Sequence, residues 1–422
     1  MWLECGFFHS LGCVLREIVL INITGAERSG LTATITGLLA RHGVSILDID
    51  QAVIHGALSM SLLIEVPIEV QGAAQTESLR AELRAITEPS GLQTSFNAMR
   101  EQDYQQWVAS ESGPRHVVTL LSRKVTAEQL QRVSALTDSH GLKIERIDRL
   151  SARKTPETAI GSSKACVEFL LSGEPADAAA LRADFLDAAQ ALNIDVAFQQ
   201  DNLLRRHRRL AVFDMDSTLI EAEVIDELAK AHGVGEQVSE ITERAMRGEL
   251  DFSASFRERL ALLKGLDVSV LDQIGASLRL TEGAETLFAE LKRLGYKTAI
   301  LSGGFTYFAK QLQARLGIDY VFANELQVVD GKCTGVAVEP IVNAQRKADL
   351  LRELANREGL SLEQTIAVGD GANDLPMLAI AGLGVAFRAK PLVKQSAQQA
   401  ISTLGLDGVL YLLGVRDREG RG

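Results

Sequence analysis

Two aspartates placed two residues apart, Asp214 and Asp216, have the clearest capacity for chemistry in this chain. They follow the apolar run Leu210–Phe213 and precede two hydroxyl residues, Ser217 and Thr218. An apolar run that stops at a polar turn is typical of a buried parallel strand whose carboxyl end opens into a crevice. If the extended backbone continued, both carboxylates would face one way, and Ser217 or Thr218 would cap the next helix. The pair predicts a metal ligand and a nucleophile, with two turn-forming aspartates as an equal alternative when no other residues are considered.

Two further polar clusters and one lysine occur where other predicted strands end or helices begin. After one strand comes Ser302–Gly304, whose small residues let backbone N–H groups approach an anion. After another comes Gly369–Asp374, with the sequence GDGAND. Lys347 opens a helix predicted to begin near Arg346, and a cation beside a helix N-terminus favours anion binding. Because the carboxyl ends of parallel strands meet in one crevice, we expect these groups to lie close to the aspartate pair.

The charges of these groups fit the transfer of a phosphoryl group. That group is strongly negative, and an attacking carboxylate adds to the repulsion. We therefore expect Mg²⁺ held by oxygen ligands such as Asp214 and Asp370, with Lys347 and backbone N–H groups nearby. Asp214 would attack phosphorus and form an aspartyl-phosphate. Asp216 would protonate the leaving oxygen and then take a proton from the attacking water.

An alternation of strands and long helices begins at Leu210 and predicts an α/β fold with a doubly wound, mostly parallel sheet. A helical insertion at about 222–280 interrupts the first crossover and should form a cap above the carboxyl ends of the strands. A hairpin is predicted from Glu325 to Val338. The predicted strands of the sheet are Leu210–Asp214, Lys297–Ser302, Thr365–Asp370 and Gly384–Phe387.

The part of the chain before this sheet contains an internal duplication. Each copy spans roughly 90 residues and has the order strand, helix, strand, strand, helix, strand, which is the ferredoxin-like βαββαβ plan. The segments RHGVSILDID (41–50) and SHGLKIERID (139–148) align visibly. The predicted domains are therefore residues 17–100, 114–200 and 208–415.

Composition limits the partners of the chain. Its formal net charge of -11 argues against a nucleic-acid-binding surface, which requires clustered lysines and arginines. The one dense basic run, Arg205–Arg209, is interpreted as a solvated linker before the catalytic strand. No apolar run is long enough to span a bilayer, so no membrane partner is expected. The tail RDREGRG, residues 416–422, is predicted to be disordered.

Cysteine usage and the absence of other motifs narrow the interpretation further. The four cysteines are scattered without metal-ligand spacing, which indicates reduced thiols and a cytoplasmic protein. The apolar stretch Trp2–Leu15 lacks a basic leader and carries Glu4, so we expect a frayed extension or a start codon placed too early, not a signal peptide. The chain has no dinucleotide-binding loop, no ATP-binding phosphate loop and no serine-hydrolase elbow.

The ordered set DMDST (214–218), SGGF (302–305), Lys347 and GDGAND (369–374) resembles the haloacid dehalogenase superfamily, and within it the phosphoserine phosphatases. The resemblance covers nearly all of residues 208–415. It implies hydrolysis of O-phospho-L-serine to L-serine and phosphate through an aspartyl-phosphate, the last step of L-serine biosynthesis. It also implies Asp214 as the nucleophile and Asp216 as the general acid and base.

The same resemblance implies the other residues of the site. The implied ligands of Mg²⁺ are the carboxylates of Asp214 and Asp370 and the backbone carbonyl of Asp216. Asp374 would support these ligands. The implied phosphate contacts are Ser302, Gly303, Lys347 and Asn373.

Two residues of the predicted cap, Glu223 and Arg259, match positions that contact the substrate in that family. A zwitterionic amino acid requires one charge of each sign, and arginine binds a carboxylate through two parallel hydrogen bonds. Without the other motifs, both residues would be interpreted as surface charges of a cap helix. Met246 and Phe252 also match cap positions near the substrate, with plain packing of the cap as an equal alternative.

Both copies of the duplication resemble ACT domains, which are small modules that sense amino acids. The resemblance is strongest at Gly25–Ile35, where Gly30 lies at the turn before the first helix. The second copy reads SRKVTAEQL at 122–130 and has no glycine at the turn. The resemblance implies L-serine bound at these domains and a homodimer that pairs through them. Domains that only dimerise are the alternative.

Two other functions remain open at this point. The first is a phosphatase or phosphotransferase on the same scaffold that acts on another small phosphomonoester. Glu223 and Arg259 argue against it, because they suit an amino acid. The second is an amino-acid-sensing regulatory protein with a vestigial catalytic domain. The complete set of acids with Lys347 argues against that possibility.

Overall fold

The computed structural model describes residues 16–67, 72–111, 113–153 and 164–417. The stretch Trp2–Leu15, for which we expected a frayed extension, lies outside these residues. The chain divides into two units between Gly113 and Pro114. No helix in the described residues is long and apolar enough to cross a membrane.

The first unit is one antiparallel sheet with helices against it. Its elements are β1 (Arg16–Ala26), α1 (Leu31–Arg41), β2 (Ser45–Ile54), β3 (Ala57–Pro67), α2 (Gly72–Thr87), β4 (Gln93–Met99) and α3 (Glu101–Glu111). The strands lie in the order β2-β3-β1-β4. Val19, Ile21 and Ile23 alternate along β1 and are buried, because one face of the sheet packs against the helices. The predicted βαββαβ plan is confirmed, whereas the polar helix α3 was not predicted.

The second unit begins with a sheet of the same design. Its elements are β5 (Arg115–Ser122), α4 (Ala127–Ser139), β6 (Lys143–Arg149), β7 (Ala165–Ser172), α5 (Ala178–Leu192) and β8 (Asp195–Gln200). The order β6-β7-β5-β8 repeats that of the first unit. Helix α4 begins at Ala127 because the side chains of Thr126 and Gln129 form a reciprocal capping box there. The internal duplication predicted from the sequence is therefore present in the structure.

The catalytic part of the second unit is a six-stranded parallel sheet. Its strands are β9 (Leu210–Phe213), β10 (Lys297–Phe305), β11 (Tyr320–Asn324), β14 (Thr365–Gly369), β15 (Leu383–Phe387) and β16 (Gln399–Ile401), in the order β11-β10-β9-β14-β15-β16. Ala211 and Phe213 face one hydrophobic core, and Leu210 and Val212 face another. Burial on both faces confirms the doubly wound sheet. The four predicted strands are all present, and β11 and β16 were missed.

Helices cover the two faces of this sheet, and a helical cap is inserted between β9 and β10. The cap consists of α6 (Val224–His232), α7 (Gly235–Met246), α8 (Phe252–Leu262) and α9 (Ser269–Ser277). The remaining helices are α10 (Ala284–Arg293), α11 (Thr306–Leu316), α12 (Ala344–Arg357), α13 (Leu375–Ile380), α14 (Pro391–Ser396) and α15 (Val409–Leu412). The predicted insertion at 222–280 is therefore confirmed as helical.

The predicted hairpin consists of β12 (Leu326–Val329) and β13 (Lys332–Ala337). Asp330 and Gly331 at its tip both have positive φ, 49° and 71°, as a two-residue type I′ turn requires. The hairpin is joined to the cap, because the Gly265 N–H donates to the Cys333 carbonyl and the Cys333 N–H donates to the Leu266 carbonyl, each at 2.8 Å.

The basic run before β9 is not a solvated linker, so that interpretation is wrong. Arg205 and Arg208 are buried, with 1% and 6% of their surface exposed. Arg205 Nη2 donates to Glu168 of the second βαββαβ domain. Arg208 donates from Nη2 to the Gly382 carbonyl of the catalytic sheet, at 3.0 Å. These arginines thus join the two parts of the second unit.

The tail also departs from the prediction at its beginning. Arg416 Nη2 donates to Asp148 at 2.9 Å, and Asp417 accepts a hydrogen bond from Tyr411 at 2.8 Å. These contacts with neighbouring elements order the first two residues of the predicted disordered tail. The remaining five lie outside the described residues.

Candidate active site

The chain turns sharply after β9, and the turn sets the positions of the two aspartates. The Asp214 N–H continues the strand ladder by donating to the Val368 carbonyl at 2.9 Å. The Met215 carbonyl then accepts hydrogen bonds from three successive N–H groups, those of residues 218, 219 and 220. Asp216 Oδ1 accepts the Val224 N–H at the start of α6, at 3.3 Å. The prediction that Ser217 or Thr218 caps this helix is therefore wrong, because α6 begins six residues after Thr218.

The two hydroxyl residues instead contact other acids of the site. Ser217, with φ of 56°, donates from Oγ to Glu223 Oε1 at 2.7 Å. Thr218 donates from Oγ1 to Asp370 Oδ1 at 3.0 Å. Each hydroxyl therefore holds one carboxylate in place beside the aspartate pair.

Lys347 is fully buried and contacts two aspartates of the site. It lies in the first turn of α12, which begins at Ala344, two residues before Arg346, because the Asn343 side chain caps it. Lys347 Nζ is 2.8 Å from Asp214 Oδ1 and 2.6 Å from Asp374 Oδ1. Burial alone would lower the pKa of Lys347, but the charges of the two carboxylates raise it above its usual value, so the lysine stays protonated.

Three carboxylates, those of Asp214, Asp370 and Asp374, lie close to one another next to Lys347. One oxygen from each lies within 4.8 Å of the others, close to the span of two ligands on one small cation, about 4.2 Å for Mg²⁺. Burial and repulsion from Asp214 raise the pKa of Asp370 to about 8 and that of Asp374 to about 6. A bound divalent cation would relieve this repulsion, so these hard oxygen donors fit a metal ion of the Mg²⁺ type.

The GDGAND loop packs closely against the Asp374 side chain because glycine occupies position 369. A Cβ atom at Gly369 would lie 2.4 Å from Asp374 Cγ. Asp374 Oδ2 also accepts the Gly371 N–H at 2.9 Å. The carboxylate is thus held on one side by the loop backbone and on the other by Lys347.

The segment after Leu301 supplies small groups next to Asp216. Ser302 is fully buried, and its Oγ accepts the Gly304 N–H at 2.9 Å. The Gly303 carbonyl accepts a hydrogen bond from Asn324 Nδ2 at 2.8 Å. Asn324 also accepts the Val342 N–H. It therefore connects this segment to the chain before α12. Sequence reasoning missed Asn324, since a lone asparagine after a short strand carries no distinctive signal.

Asp216 lies at the base of the cleft, where its surroundings favour the protonated form. Burial raises the pKa of the Asp216 carboxyl, and repulsion from Glu223 and Asp214 adds to this effect. A carboxyl group with a raised pKa can hold a proton near neutral pH and donate it. Its position beside Asp214 therefore suits a general acid.

A cleft of about 610 Å³ opens between the cap and the sheet. Its lining includes the predicted residues Asp214, Asp216, Glu223, Met246, Phe252, Arg259, Gly303, Asp370 and Asn373. Arg259 forms no ion pair within the described residues. Its guanidinium thus faces the cleft without a paired carboxylate, and Asp226 and Glu223 supply charge of opposite sign on the cap. Ser302 and Lys347 lie behind the cleft wall, fully buried.

Two contacts close the cleft between cap and sheet. A Cβ atom at Gly303 would lie 2.6 Å from Phe252 Cζ, so the phenyl ring packs directly on the glycine. At the mouth, Lys390 Nζ lies 3.7 Å from Met246 Sδ. Met246 has 64% of its surface exposed, which distinguishes it from a packed cap residue. Lys390 was not predicted, because an isolated surface lysine gives no signal in the sequence.

Gly30, the predicted regulatory residue, belongs to the first unit. It precedes α1 with φ of 83°, a left-handed conformation that favours glycine. Apart from its chain neighbours, no atom of the described residues lies within 4 Å of the position that a Cβ would occupy. The backbone at this helix N-terminus is therefore open on the side where a side chain would stand.

Comparison with known proteins agrees with this geometry. Residues 211–379 match the haloacid dehalogenase-like hydrolase family and residues 17–97 match the ACT domain. A phosphoserine phosphatase of Streptomyces coelicolor is 42% identical over 95% of this chain and 93% of its own length. One from Mycobacterium tuberculosis is 39% identical over 94% and 93%.

A solved structure is similar to this chain in both fold and sequence. The crystal structure of a probable phosphoserine phosphatase from Vibrio cholerae has a TM-score of 0.56 and 36% identity, covering 72% of this chain and 88% of its own. The chain therefore belongs to the haloacid dehalogenase-like hydrolases, in the family of the phosphoserine phosphatases with N-terminal ACT domains.

Proposed function

We propose that this chain hydrolyses O-phospho-L-serine to L-serine and inorganic phosphate, the last step of L-serine biosynthesis. One observation carries the proposal. Asp214, which is paired with the buried Lys347, lines the same cleft as Glu223 and Arg259 of the cap. The first pair suits a phosphoryl group, and the second pair suits the ammonium and carboxylate of an amino acid. The names of the full-length relatives support this substrate.

We propose Mg²⁺ as the cofactor, because the donors are hard oxygens with repelling charges. The proposed ligands are the carboxylates of Asp214 and Asp370 and the backbone carbonyl of Asp216, with Asp374 in support. When bound, the ion supplies positive charge beside the phosphoryl oxygens. Within the chain, Lys347 contributes the other full positive charge in contact with Asp214.

The protein groups can complete the reaction in two steps. A carboxylate oxygen of Asp214 attacks phosphorus, the bond from phosphorus to the serine oxygen breaks, and Asp216 gives its proton to that oxygen. Asp216 then accepts a proton from water, whose oxygen attacks phosphorus and releases phosphate from Asp214. The raised pKa of Asp216 favours the first role, and loss of its proton prepares the second.

Other residues of the cleft position the substrate in this proposal. Gly303 and Asn373, which line the cleft, contact the phosphate directly. Ser302 and Lys347 are proposed to contact it from behind the cleft wall. Arg259 binds the substrate carboxylate and Glu223 the ammonium. Because Ser217 donates to Glu223, the ammonium-binding carboxylate is held close to the reacting aspartates.

The test is phosphate release from a panel of esters, with and without Mg²⁺. The panel contains O-phospho-L-serine, phosphoethanolamine without the carboxylate, and 3-phosphoglycerate without the amine. We expect kcat/KM to be highest for O-phospho-L-serine, and activity to disappear with EDTA and return with Mg²⁺. Equal rates on all three esters would contradict the proposed substrate. Activity that persists without a divalent cation would contradict the proposed cofactor.

We also propose that the first ACT domain binds L-serine at Gly30 and that the protein is a homodimer. The open backbone at Gly30 suits a ligand carboxylate, as at other helix N-termini. The edge strand β2 exposes Ile49, Val53 and Ile54, and exposed apolar edge strands favour pairing with another chain. Sedimentation equilibrium measures the association, and a monomer at all concentrations would contradict it.

The cellular location is a further proposal. We propose a cytoplasmic enzyme, supported by Cys166 and Cys333, which are buried free thiols. Cell fractionation with antibody detection would test it, and recovery outside the cytoplasmic fraction would contradict it.

A further inference from the structure

A second cleft lies where the second βαββαβ domain meets the catalytic sheet, and it is lined by arginines. We call it the arginine cleft. It has a volume of about 330 Å³ and is lined by Arg146, Glu168, Arg206, Arg209, Leu294, Tyr296, Leu413, Gly414, Val415 and Arg416. Its walls thus come from three parts of the second unit: the βαββαβ domain, the segment between β8 and β9, and the catalytic part.

The arginine cleft is separate from the active site. Arg209 directly precedes β9, and Tyr296 directly precedes β10. Both residues therefore lie at the amino ends of the parallel strands, whereas Asp214 follows the carboxyl end of β9. The four residues of β9 alone rise about 13 Å. A molecule in the arginine cleft would therefore leave the catalytic groups uncovered.

Positive charge exceeds negative charge around this cleft. The guanidinium groups are those of Arg146, Arg205, Arg206, Arg209 and Arg416. The carboxylates that pair with them are Glu168 with Arg205, Asp148 with Arg146 and Arg416, and Asp201 with Arg205 at 3.6 Å. Four of these arginines and one carboxylate, Glu168, line the cleft. Arg206 and Arg209 form no ion pair within the described residues, which leaves the cleft suited to a further negative group.

Several donors in this cluster have no acceptor within the described residues. Arg206 is exposed, and its guanidinium donates no hydrogen bond and forms no ion pair there. Arg205 is 1% exposed, and its Nε and Nη1 donate no hydrogen bond. A Cβ atom at Gly414 would lie 3.6 Å from both Arg206 Nε and Arg205 Nη2. Both guanidinium groups therefore lie next to Gly414. Of these two arginines, Arg206 lines the cleft, so its guanidinium is the group that the oxygen acceptors of an anion can reach.

We propose that the arginine cleft binds a small anion with at least two negative charges on phosphate or carboxylate oxygens. Arginine forks bind such oxygens in pairs. Because Arg146 belongs to the βαββαβ domain and Arg209 to the catalytic part, one anion contacts both and strengthens their junction. Leu294 and Leu413 give the cleft an apolar side, which fits the carbon skeleton of a small metabolite.

The test is isothermal titration calorimetry of the full chain with inorganic pyrophosphate and, separately, with citrate. Divalent cations are first removed with EDTA, and the EDTA, itself a polycarboxylate, is then dialysed away. Without a divalent cation, the active site presents repelling carboxylates to an anion, so binding there is disfavoured. We expect parent protein to bind at least one probe, and Arg206→Gln to bind it about tenfold more weakly, the effect of one charge-assisted hydrogen bond. The probe that binds more tightly distinguishes a phosphate from a carboxylate ligand.

Control variants make the result specific. Arg352→Gln removes an exposed arginine of α12 that pairs with Asp349, and it should bind the probe like the parent. Arg146→Gln, on the opposite wall, should weaken binding as Arg206→Gln does, and circular dichroism checks that each variant is folded. Both should hydrolyse O-phospho-L-serine at the parental rate without added anion. No binding of either probe at millimolar concentration, or equal binding by the parent and both cleft variants, would overturn the proposal.

Discussion

The carboxyl end of the parallel sheet gathers buried carboxylates around Lys347, whereas the amino end gathers guanidinium groups around Glu168. At the carboxyl end, Asp370 and Asp374 have raised pKa values because burial and repulsion from Asp214 disfavour their charged forms. At the amino end, Arg208 donates to two backbone carbonyls. The first arrangement leaves charge for a ligand, and the second joins two domains. Changes at the carboxyl end should therefore alter rates, and changes at the amino end should alter stability.

Asp214→Asn should have the largest effect on rate. The variant loses the attacking charge and one proposed metal ligand, so kcat should fall by at least about a thousandfold. The melting temperature should change little or rise, since one of several repelling charges is removed. Steady-state phosphate release and thermal unfolding measure the two effects. Asp349→Asn, an exposed acid on α12, is the matched control. Parental activity in Asp214→Asn would remove the covalent mechanism.

Glu168→Ala should have the largest effect on stability. Arg205 and Glu168 expose only 1% and 7% of their side chains, and an arginine left buried without this partner costs about 3–5 kcal/mol. Chemical denaturation should show this loss in the free energy of unfolding, while kcat/KM of the folded fraction stays near the parental value. Glu285→Ala, which breaks an exposed pair with Arg315, should cost less than about 1 kcal/mol. A stable Glu168→Ala protein would mean that the junction does not depend on this pair.

Arg259→Ala should change substrate preference more than overall activity. The substrate carboxylate loses a charge-assisted contact, so kcat/KM for O-phospho-L-serine should fall about 10- to 100-fold. The value for phosphoethanolamine, which has no carboxylate, should change little. Arg257→Ala removes the exposed arginine two residues earlier in α8 and should leave both values unchanged. Equal losses on the two esters would assign Arg259 to the packing of the cap.

The smallest effect is expected in the first unit, far from either cluster in sequence. At serine concentrations below those at which it competes as product, Gly30→Val should abolish any response of the rate to L-serine while leaving the rate without serine unchanged. Gly43→Val is a matched control, because Gly43 ends the same helix with φ of 60° and equally open space. Phosphate release against added L-serine measures both variants. Serine also competes at the active site as product, so a response that persists in Gly30→Val would place the inhibition there.

The fold was largely predictable because its elements have strong local patterns. The strands β9, β10, β14 and β15 are apolar runs that end at polar turns, and the helix α1 buries Leu31, Ile35, Leu38 and Leu39 at helical spacing. The strand β16 was missed because three residues are too short for a pattern. Its pairing with β15 comes from the rest of the fold.

The types of residue that form the site were predictable from the sequence, but the contacts between them were not. Spacing and charge indicated Asp214, Asp216 and Lys347, yet nothing local showed that Lys347 also pairs with Asp374. The error at Arg205 has the same physical origin. A run of arginines appears solvated until its carboxylate and carbonyl partners, which lie far along the chain, are brought beside it.

The hairpin β12–β13 has a mechanical consequence for the cap. Where the cap leaves and rejoins the sheet, Ile220 bridges Leu280. The hairpin holds the cap a second time, through Cys333 and the loop after α8. A rotation of the cap about this stem alone would break the two hydrogen bonds to Cys333. Opening of the cleft would therefore have to carry the hairpin with the cap or break these bonds, besides separating Lys390 from Met246 at the mouth.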